Sequence, residues 1–273
     1  MKIDILSFIC KAGARITQLL GVGIPFTIKI NEVKFSLRTF SIIEWLLLIR
    51  GWQNLWELST RNFFVKNINN YDFFLDIGAN TGIYSTLASG LSKKIKVIAI
   101  EPVFSNCIAI SKIRELNNLS NLYVLNAGLS NEIRLGEFFT PYNQHFPCSG
   151  TLSTPIYKKA SKPNRFVTLP GDLFESIISN QKVLIKIDVE GHEESVLRGM
   201  RKFFDSNHCA VIIEILPESH NLYQFYLDYF QERSMSPFKM LKDGNVIPMG
   251  DSFPDFSTSD GINFALNILF LPS

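Results

Sequence analysis

Two short stretches of the chain combine acidic, glycine and small polar residues at spacings that suit a ligand-binding site. The first, Phe73–Gly82, reads Phe-Phe-Leu-Asp-Ile-Gly-Ala-Asn-Thr-Gly. Its apolar half is typical of a strand buried on both faces of a parallel sheet, and residues 83–91 can continue as a helix. A strand, a tight turn and a helix N-terminus form a corner where backbone N–H groups and glycines let a ligand approach the chain.

The spacing Asp-x-Gly-x-x-x-Gly narrows the choice of ligand. It differs from the Gly-x-Gly-x-x-Gly of dinucleotide-binding turns, because Asn80 occupies the position of a second glycine, and no Gly-Lys-Ser/Thr follows as in a P-loop. Asp76 at the strand end disfavours a phosphate and suits a ligand with an amino group, such as the methionine end of S-adenosylmethionine. The alternative is that Asp76 caps the turn and that Asn80 and Thr81 cap the next helix.

A second acidic residue, Glu101, ends the next apolar strand. It follows Gly82 by about 20 residues, the separation at which an acidic side chain binds a ribose in related sites. A carboxylate has two acceptor oxygens and a ribose diol has two donors, so the two groups are complementary. We therefore expect Glu101 to bind the ribose of the same ligand, the alternative being a solvated loop carboxylate.

The second stretch, residues 184–193, reads Leu-Ile-Lys-Ile-Asp-Val-Glu-Gly-His-Glu and crowds charged side chains at a strand end. The helix dipole accounts for Glu193 and Glu190 at the start of a helix, but not for Asp188, which is still in the strand register. Neutral His192 can accept a proton from an attacking hydroxyl, because its pKa lies close to working pH. We expect His192 to be a base, with Asp188 or Glu190 orienting either His192 or the acceptor. The acidic residues could also hold a divalent cation, but the spacing requires none and we expect no metal.

Composition excludes several classes of protein. The 273 residues are 46% hydrophobic and 19% charged with a net charge of +2, which predicts a globular chain and gives no case for nucleic-acid binding. The four cysteines are scattered and form no Cys-x-x-Cys pair, so we expect reduced thiols in a cytoplasmic protein. They are Cys10, Cys107, Cys148 and Cys209.

No segment near the N-terminus predicts a membrane span. The longest strongly apolar piece there, residues 45–49, is far shorter than the roughly 20 residues that a transmembrane helix needs. Lys11 and Arg15 interrupt what would be the apolar region of a signal peptide. Residues 3–20 instead predict an amphipathic helix that packs on its own domain or on a partner, with peripheral contact with the inner face of a membrane as the alternative. Its apolar face comprises Ile5, Ile9, Ala12, Ile16 and Leu19.

The first 66 residues are predicted to form an appendage to the main domain at 67–273. Alternating apolar residues predict a hairpin over 24–38 that turns at Asn31-Glu32. Residues 41–66 are predicted to be helical, and residues 67–71 are a loop. The helical segment carries apolar residues expected in the core, namely Trp45, Leu48, Trp52, Leu55 and Trp56.

From residue 71 onward, apolar strands alternate with helices. This alternation predicts a parallel sheet with right-handed crossovers. Residues 127–168, which contain four prolines, predict a short β-insertion or a substrate-facing loop. Strands are expected at 73–77, 96–100, 122–125, 183–187, 210–215, 238–241 and 264–271. Helices are expected at about 83–91, 105–117 (Ala109, Ile113 and Leu116 inward), 191–204 and 219–231.

Four motifs together resemble the FkbM family of S-adenosylmethionine-dependent methyltransferases. They are Asp76-Ile-Gly-Ala-Asn-Thr-Gly82, Ala99-Ile-Glu-Pro102, Asn126-Ala-Gly-Leu-Ser130 and Lys186-Ile-Asp-Val-Glu-Gly-His-Glu193, followed by Val196-Leu-Arg-Gly199. The segment before strand four is also similar, although Pro170-Gly171 departs from the family's more usual acidic residues. The resemblance implies a class I methyltransferase fold, with a seven-stranded Rossmann-like sheet whose last strand is antiparallel. It also implies O-methylation, often of a sugar hydroxyl in a polysaccharide, glycolipid or natural product.

The resemblance also implies roles for individual residues. The turn residues Asp76, Gly78, Asn80, Thr81 and Gly82 would surround the methionine part of S-adenosylmethionine. Glu101 would hold the ribose, Pro102 and Asn126 would flank the adenine, and Asp188, Glu190 and His192 would face the methyl group and the acceptor. Two alternatives remain open: a nucleotide-sugar or NAD-dependent enzyme on the same sheet, and a non-catalytic binding protein.

Overall fold

The computed structural model describes residues 5–20, 23–52, 57–141, 161–215, 220–250 and 266–273. Its helices are α1 (Ile5–Leu20), α2 (Ile42–Arg50), α3 (Leu58–Asn67), α4 (Ile83–Leu91), α5 (Phe104–Leu116), α6 (Glu193–Arg198), α7 (Arg201–Asp205) and α8 (His220–Gln231). Its strands are β1 (Pro25–Ile30), β2 (Val33–Arg38), β3 (Phe73–Ile77), β4 (Lys96–Ile100), β5 (Leu122–Leu125), β6 (Gly128–Ser130), β7 (Arg134–Pro141), β8 (Ser161–Pro170), β9 (Lys182–Ile187), β10 (His208–Ile215), β11 (Met235–Met240), β12 (Val246–Pro248) and β13 (Leu266–Pro272).

The central sheet has the order β12-β11-β13-β10-β9-β3-β4-β5. The five strands from β10 to β5 are parallel, and β13 is antiparallel to both β10 and β11. The predicted fold class, a mostly parallel sheet with an antiparallel last strand, is confirmed. The sheet has eight strands, not seven, because β12 pairs with β11 and adds a short edge strand.

Strand β3 lies between β4 and β9, and all five of its residues are buried. Apolar residues pack on both faces of the sheet, which explains why β3 and β9 read as continuous apolar runs. The chain leaves β3 toward β4 on one side, while β9 on the other side is reached much later. The crevice at the carboxyl ends of β3 and β9 is therefore a topological switch point, where open α/β sheets bind ligands.

Most strand and helix predictions from residue 71 onward hold to within a few residues. The helix expected over 191–204 is broken into α6 and α7 near Gly199, where the chain packs directly on β6. A Cβ atom at Gly199 would lie 1.9 Å from the carbonyl oxygen of Ser130. The inward orientation predicted for Leu116 is wrong, since this last residue of α5 is 45% exposed.

The region predicted to be an insertion contains strands β6, β7 and β8, which form a separate three-stranded sheet. The prediction of a β-insertion therefore holds for its described part, and residues 142–160 lie outside the description. Phe166 of β8 packs over Gly128 and Gly136 at the centre of this sheet. Residues 166 and 168 reach the crevice described above, so the insertion forms part of its wall.

The N-terminal hairpin forms as predicted, with β1 paired to β2 around Asn31-Glu32. The following helix α2 begins with a capping box, in which Ser41 accepts from the backbone of Ile43 and Glu44 accepts from the backbone of Ser41. Of the five apolar residues predicted for the core, Leu48 is 39% exposed, and Leu55 and Trp56 lie outside the described residues. The division at residue 66 stays a prediction.

Helix α1 packs on α2, but through a different face from the one predicted. Gly13 lies against the indole of Trp45, whose Nε1 donates a hydrogen bond to Thr17 Oγ1 at 3.0 Å. Ile9 and Ile16, from the apolar face expected to pack, are exposed. Packing on the chain's own domain is therefore confirmed, while the predicted contact face is wrong. Among the described helices, none is both long enough and apolar enough to cross a membrane.

We expect Gly78→Ala to lower the free energy of unfolding more than Gly191→Ala does. Both glycines have positive φ, +81° and +95°, so alanine is strained by about 1–2 kcal/mol at either position. At Gly78 the new Cβ would also lie 1.9 Å from the carbonyl oxygen of Asp188, whereas at Gly191 no described atom lies within 4 Å. Urea unfolding of the two variants measures the difference, and equal losses would contradict this close approach of β3 and β9.

Candidate active site

A cleft of about 330 Å³ opens at the carboxyl ends of β3, β4 and β9. It brings together most of the residues singled out in the sequence, although they come from segments more than 100 positions apart. Those that line it are Asp76, Gly78, Asn80, Thr81, Glu101, Pro102, Lys186, Asp188, Glu190 and His192. Gly82 and Asn126, which were predicted to contact the cofactor, are not part of the lining.

Asp76 is 2% exposed and links β3 to the helix that follows it. One carboxylate oxygen accepts from the backbone N–H of Ser85 at 3.0 Å and from its hydroxyl at 2.6 Å. Burial raises the pKa of Asp76, against the opposing effect of the nearby Lys186. The capping alternative considered for Asp76 is therefore present in the structure, and the same carboxyl group also lines the cleft.

Glu101 joins the turn after β3 to the turn after β4. Its Oε2 accepts from the backbone N–H of Asn80 at 2.8 Å, and its Oε1 accepts from that of Val103 at 2.9 Å. The Asn106 amide donates a further bond to Oε1 at 3.3 Å. Burial raises the pKa of Glu101 to about 7, despite these three donors. These three donors leave one of the four lone-pair sites of the carboxylate, on Oε2, for a further donor.

Three of the predicted cofactor residues make contacts that brace the turns. The hydroxyl of Thr81 donates to Glu44 of α2, although Thr81 also contributes to the lining. Gly82 packs against Ile110 of α5 and begins α4. The amide of Asn126 donates to the carbonyl oxygens of Glu101 and Pro102, at 2.9 and 3.0 Å, and so braces their turn.

An apolar wall lies beside Glu101. Pro102, predicted to flank an adenine, forms part of it together with Ile100, Leu129 and Phe166. Phe166 is 8% exposed and comes from the insertion sheet, so sequence reasoning did not assign it to the site. An aromatic ring and aliphatic side chains next to a diol-binding carboxylate suit a nucleoside, whose base is flat and apolar on its faces.

His192 also lines the cleft and lies immediately before α6. Its Nε2 is 3.0 Å from the hydroxyl of Ser130, a buried residue of β6. Burial lowers the pKa of His192, and the nearby Arg134 cation lowers it further. The imidazole is therefore neutral at pH 7. Its hydrogen-bond partner Ser130 was not assigned to the site by sequence reasoning, and the orienting role expected for Asp188 or Glu190 stays a prediction.

A buried ammonium group lies at the centre of the acidic end. Lys186 is 3% exposed, and its Nζ is 2.5 Å from Asp188 Oδ2. Although burial favours the neutral acid, Lys186 lowers the pKa of Asp188. Burial and the Asp188 charge raise the pKa of Glu214 on β10 to about 10, so Glu214 is protonated and hydrogen-bonds to Asp188. Glu214 interrupts an apolar strand in the sequence, a signal that could have identified it.

The appendage also contributes side chains to the cleft. Glu57 and Arg61 line it, and the Glu57 carboxylate accepts from the hydroxyl of Tyr84 at 2.7 Å. Nothing in the spacing of the sequence marks Glu57 as a site residue, because its neighbours in the cleft come from β9 and β10. Its backbone is left-handed (φ 55°), as are those of Asn80 (φ 53°) and Glu190 (φ 55°) in the same cleft. Such strain costs of order 1–3 kcal/mol per residue and clusters at functional sites.

Carboxylate oxygens of Glu57, Asp188 and Glu214 lie within 4.8 Å of one another. Of the acidic residues that sequence reasoning considered for a cation, Asp188 belongs to this cluster, whereas Glu193 accepts from the backbone N–H groups of Val189 and Gly191 and braces the loop. Lys186 already provides a positive charge to the observed cluster. The prediction that the site needs no metal stays a prediction.

The model of the FkbM methyltransferase domain matches residues 76–235, more than half of the chain. The chain belongs to the FkbM methyltransferase family. It is therefore an S-adenosylmethionine-dependent methyltransferase, and this part of the sequence prediction is confirmed. The NAD-dependent, nucleotide-sugar and non-catalytic alternatives are set aside. A comparison with curated protein sequences gives no match.

Three solved structures that are similar to this FkbM methyltransferase are distant from it in sequence. A SAM-dependent methyltransferase from Agrobacterium tumefaciens is 8% identical with a TM-score of 0.46, covering 92% of this chain and 71% of its own. The precorrin-6y C5,15-methyltransferase from Geobacter metallireducens is 9% identical, with a TM-score of 0.44 and coverage of 81% and 90%. An O-methyltransferase of a trans-AT PKS multienzyme from Brevibacillus brevis, in complex with S-adenosylhomocysteine, is 12% identical, with a TM-score of 0.40 and coverage of 69% and 54%. The fold assignment rests on the strand order, not on these likenesses.

The donor set of the FkbM cleft fits S-adenosylmethionine. Glu101 offers acceptors for the ribose diol, and the wall around Phe166 suits the adenine. The carboxylates of Glu57 and Asp188 offer oxygens to the sulfonium and amino groups, beside the cations of Lys186 and Arg61. When bound, this cofactor supplies an electrophilic methyl group.

We expect the affinity for S-adenosylhomocysteine to rise with pH up to about pH 7. Below its raised pKa of about 7, Glu101 is protonated and accepts a diol less well, so affinity should fall by up to about tenfold per pH unit and level off above pH 7. Calorimetry across this range measures the effect. Glu101→Gln should weaken binding and flatten the profile, whereas exposed Glu137→Gln should change neither. An unchanged slope in Glu101→Gln would assign the titration to another group.

Proposed function

We propose that the enzyme transfers the methyl group of S-adenosylmethionine to a hydroxyl group. The proposed acceptor is a sugar in a polysaccharide, glycolipid or related natural product. One observation carries the proposal: the cleft that Glu101 lines also contains the imidazole of His192, whose pKa is lowered, and the carboxyl groups of Glu57, Asp188 and Glu190. Carboxylates accept hydrogen bonds from sugar hydroxyls, and the hydroxyl that becomes methylated must lose its proton during methyl transfer.

His192 is the proposed base. An alcohol is a weak nucleophile at neutral pH, and an unprotonated imidazole can take its proton as the oxygen attacks the methyl carbon. The lowered pKa of His192 keeps the ring in its basic form at pH 7. Ser130 Oγ at 3.0 Å from Nε2 fixes the ring, and the other ring nitrogen is then the one that faces the acceptor in this proposal.

Asp188, Glu190 and Glu57 are proposed to position the acceptor. Asp188 is held by Lys186 on one side and by protonated Glu214 on the other, so its carboxylate has little rotational freedom. Alignment of the two reacting atoms contributes much of the rate in a transfer where the cofactor carries the reactive group. The methionine part is proposed to lie between these residues and the turn at Asp76, Gly78 and Asn80.

A panel of acceptors tests the proposed substrate class. We expect label from S-adenosylmethionine with a tritiated methyl group to appear on simple methyl glycosides more than on catechol or on an amine such as benzylamine. A deoxy glycoside that lacks the methylated hydroxyl is the matched control and should accept none. Transfer to the amine or the phenol alone would contradict a sugar acceptor, and so would the absence of transfer to any glycoside.

We expect His192→Gln to lower kcat about 10²–10⁴-fold, because general-base catalysis contributes that much. The affinity for S-adenosylhomocysteine should stay nearly unchanged, which calorimetry would show. In the parent enzyme, kcat should rise with pH and level off below pH 7, because burial and Arg134 lower the pKa of His192. If the variant kept full kcat with the best glycoside of the panel, the assignment of the base would be wrong.

A further inference from the structure

The methionine part of S-adenosylmethionine ends in a carboxylate as well as an amino group. In the cleft, Asp76 and Asp188 present carboxyl groups, which repel a further carboxylate in a buried site. Backbone N–H groups near the start of α4 could offset this repulsion, but that of Ser85 already donates to Asp76 at 3.0 Å. That of Asn80 donates to Glu101 at 2.8 Å. A cation in the cleft wall is therefore the partner that the carboxylate of the cofactor requires.

The described residues that line the cleft include three basic side chains, those of Arg61, Lys186 and His192. His192 is neutral at pH 7, because burial and Arg134 lower its pKa. Lys186 forms a buried ion pair with Asp188 at 2.5 Å. Arg61 carries a charge at any physiological pH, so it is the cation in the wall that best suits an anionic group of the ligand.

Trp52 holds the guanidinium of Arg61 in one orientation. Arg61 lies on α3 and is 3% exposed, and its Nη1 donates to the carbonyl oxygen of Trp52. Its Cζ also lies 4.5 Å from the centroid of the Trp52 ring, in a cation–π contact. A guanidinium fixed in this way presents its N–H donors as a planar fork, which matches the two oxygens of a carboxylate.

The packing of α3 on α4 places Arg61 beside the turn that follows β3. Phe64, one helical turn after Arg61, packs edge to face on Tyr84 with ring centroids 5.3 Å apart. Tyr84 is the second residue of α4, and its hydroxyl donates to the carboxylate of Glu57 at 2.7 Å. Glu57 is close enough to Arg61 to oppose the lowering of its pKa by burial. The cleft wall thus presents a cation and a carboxylate side by side, as do the amino and carboxylate groups of an amino acid in the opposite sense.

We propose that Arg61 binds the carboxylate of the methionine part of S-adenosylmethionine, with Glu57 beside it as an acceptor for the amino group. A residue of the segment that precedes β3 then selects for the amino-acid end of the cofactor. The proposal concerns the cofactor of the FkbM family and does not depend on the identity of the methyl acceptor. The alternative role of Arg61 is to neutralise Glu57 within the folded chain.

Calorimetry with two ligands that differ only in this carboxylate tests the proposal. The ligands are S-adenosylhomocysteine and its decarboxylated analogue, in which a hydrogen atom replaces the carboxylate. The parent should bind S-adenosylhomocysteine about 10–100-fold more tightly, because hydrogen bonds between two charged groups contribute that much. Arg61→Gln should remove most of this preference by weakening the binding of S-adenosylhomocysteine alone. Arg61→Lys, which keeps the charge but lacks the fork, should retain part of it.

Arg201→Gln, at an exposed arginine outside the cleft, is the matched control and should bind both ligands as the parent does. Unchanged affinity of the Arg61→Gln variant for the decarboxylated analogue shows that its cleft remains folded. The proposal is overturned if the parent binds both ligands equally well, a comparison that needs no variant. It is also overturned if Arg61→Gln weakens the two ligands by the same factor, as neutralisation of Glu57 predicts, or if it keeps the preference of the parent. These are binding measurements, so a failure of methyl transfer to every glycoside would contradict the proposed acceptor and leave this result standing.

Discussion

The turn that follows β3 lies directly on the end of β9, and this backbone contact sets the geometry of the cleft. The amide of Asp188 donates to the carbonyl of Ile77 at 3.0 Å, and the amide of Gly78 donates to that of Ile100 at 2.9 Å. Three strand ends are thus joined by main-chain hydrogen bonds with no space for a Cβ atom at residue 78. The backbone at these strand ends is close-packed and fixed in place. Side chains of different charge and polarity therefore lie a short distance apart in the cleft.

The two ends of the cleft differ in how they stabilise charge. Around Glu101, neutral backbone donors hold a carboxyl group whose burial raises its pKa to about 7. Around Lys186, a full positive charge is buried beside carboxyl groups, one of which, Glu214, remains protonated. Removing one partner of a buried ion pair leaves an uncompensated charge and is strongly destabilising, so the acidic end tolerates little change. The site therefore combines an apolar wall with a group of buried charged side chains.

Sequence reasoning succeeded where the signal is local. The strand, turn and helix around Asp76 follow from a continuous apolar run and adjacent glycines, and Glu101 follows from its distance along the chain. It failed where a contact joins distant segments. Three such cases are the contact of Ser130 with His192, that of Glu57 with Asp188, and the place of Phe166 in the apolar wall. These residues come from different elements, and their spacing in the sequence carries no information on the contacts. The predicted contact face of α1 was wrong because the helix packs on α2 through the close contact between Gly13 and Trp45, and not through its more apolar face.

The carboxylate of Glu44 joins two parts of the chain that sequence reasoning separated. It completes the capping box of α2 and also accepts the hydroxyl of Thr81, while Phe35 of the hairpin packs on Gly90 of α4. The first segment thus contacts the turn after β3 through Glu44 and helix α4 through Phe35. Exchange of this segment between related enzymes would need matching changes at positions 81 and 90, so the two parts are expected to evolve together and not as independent modules.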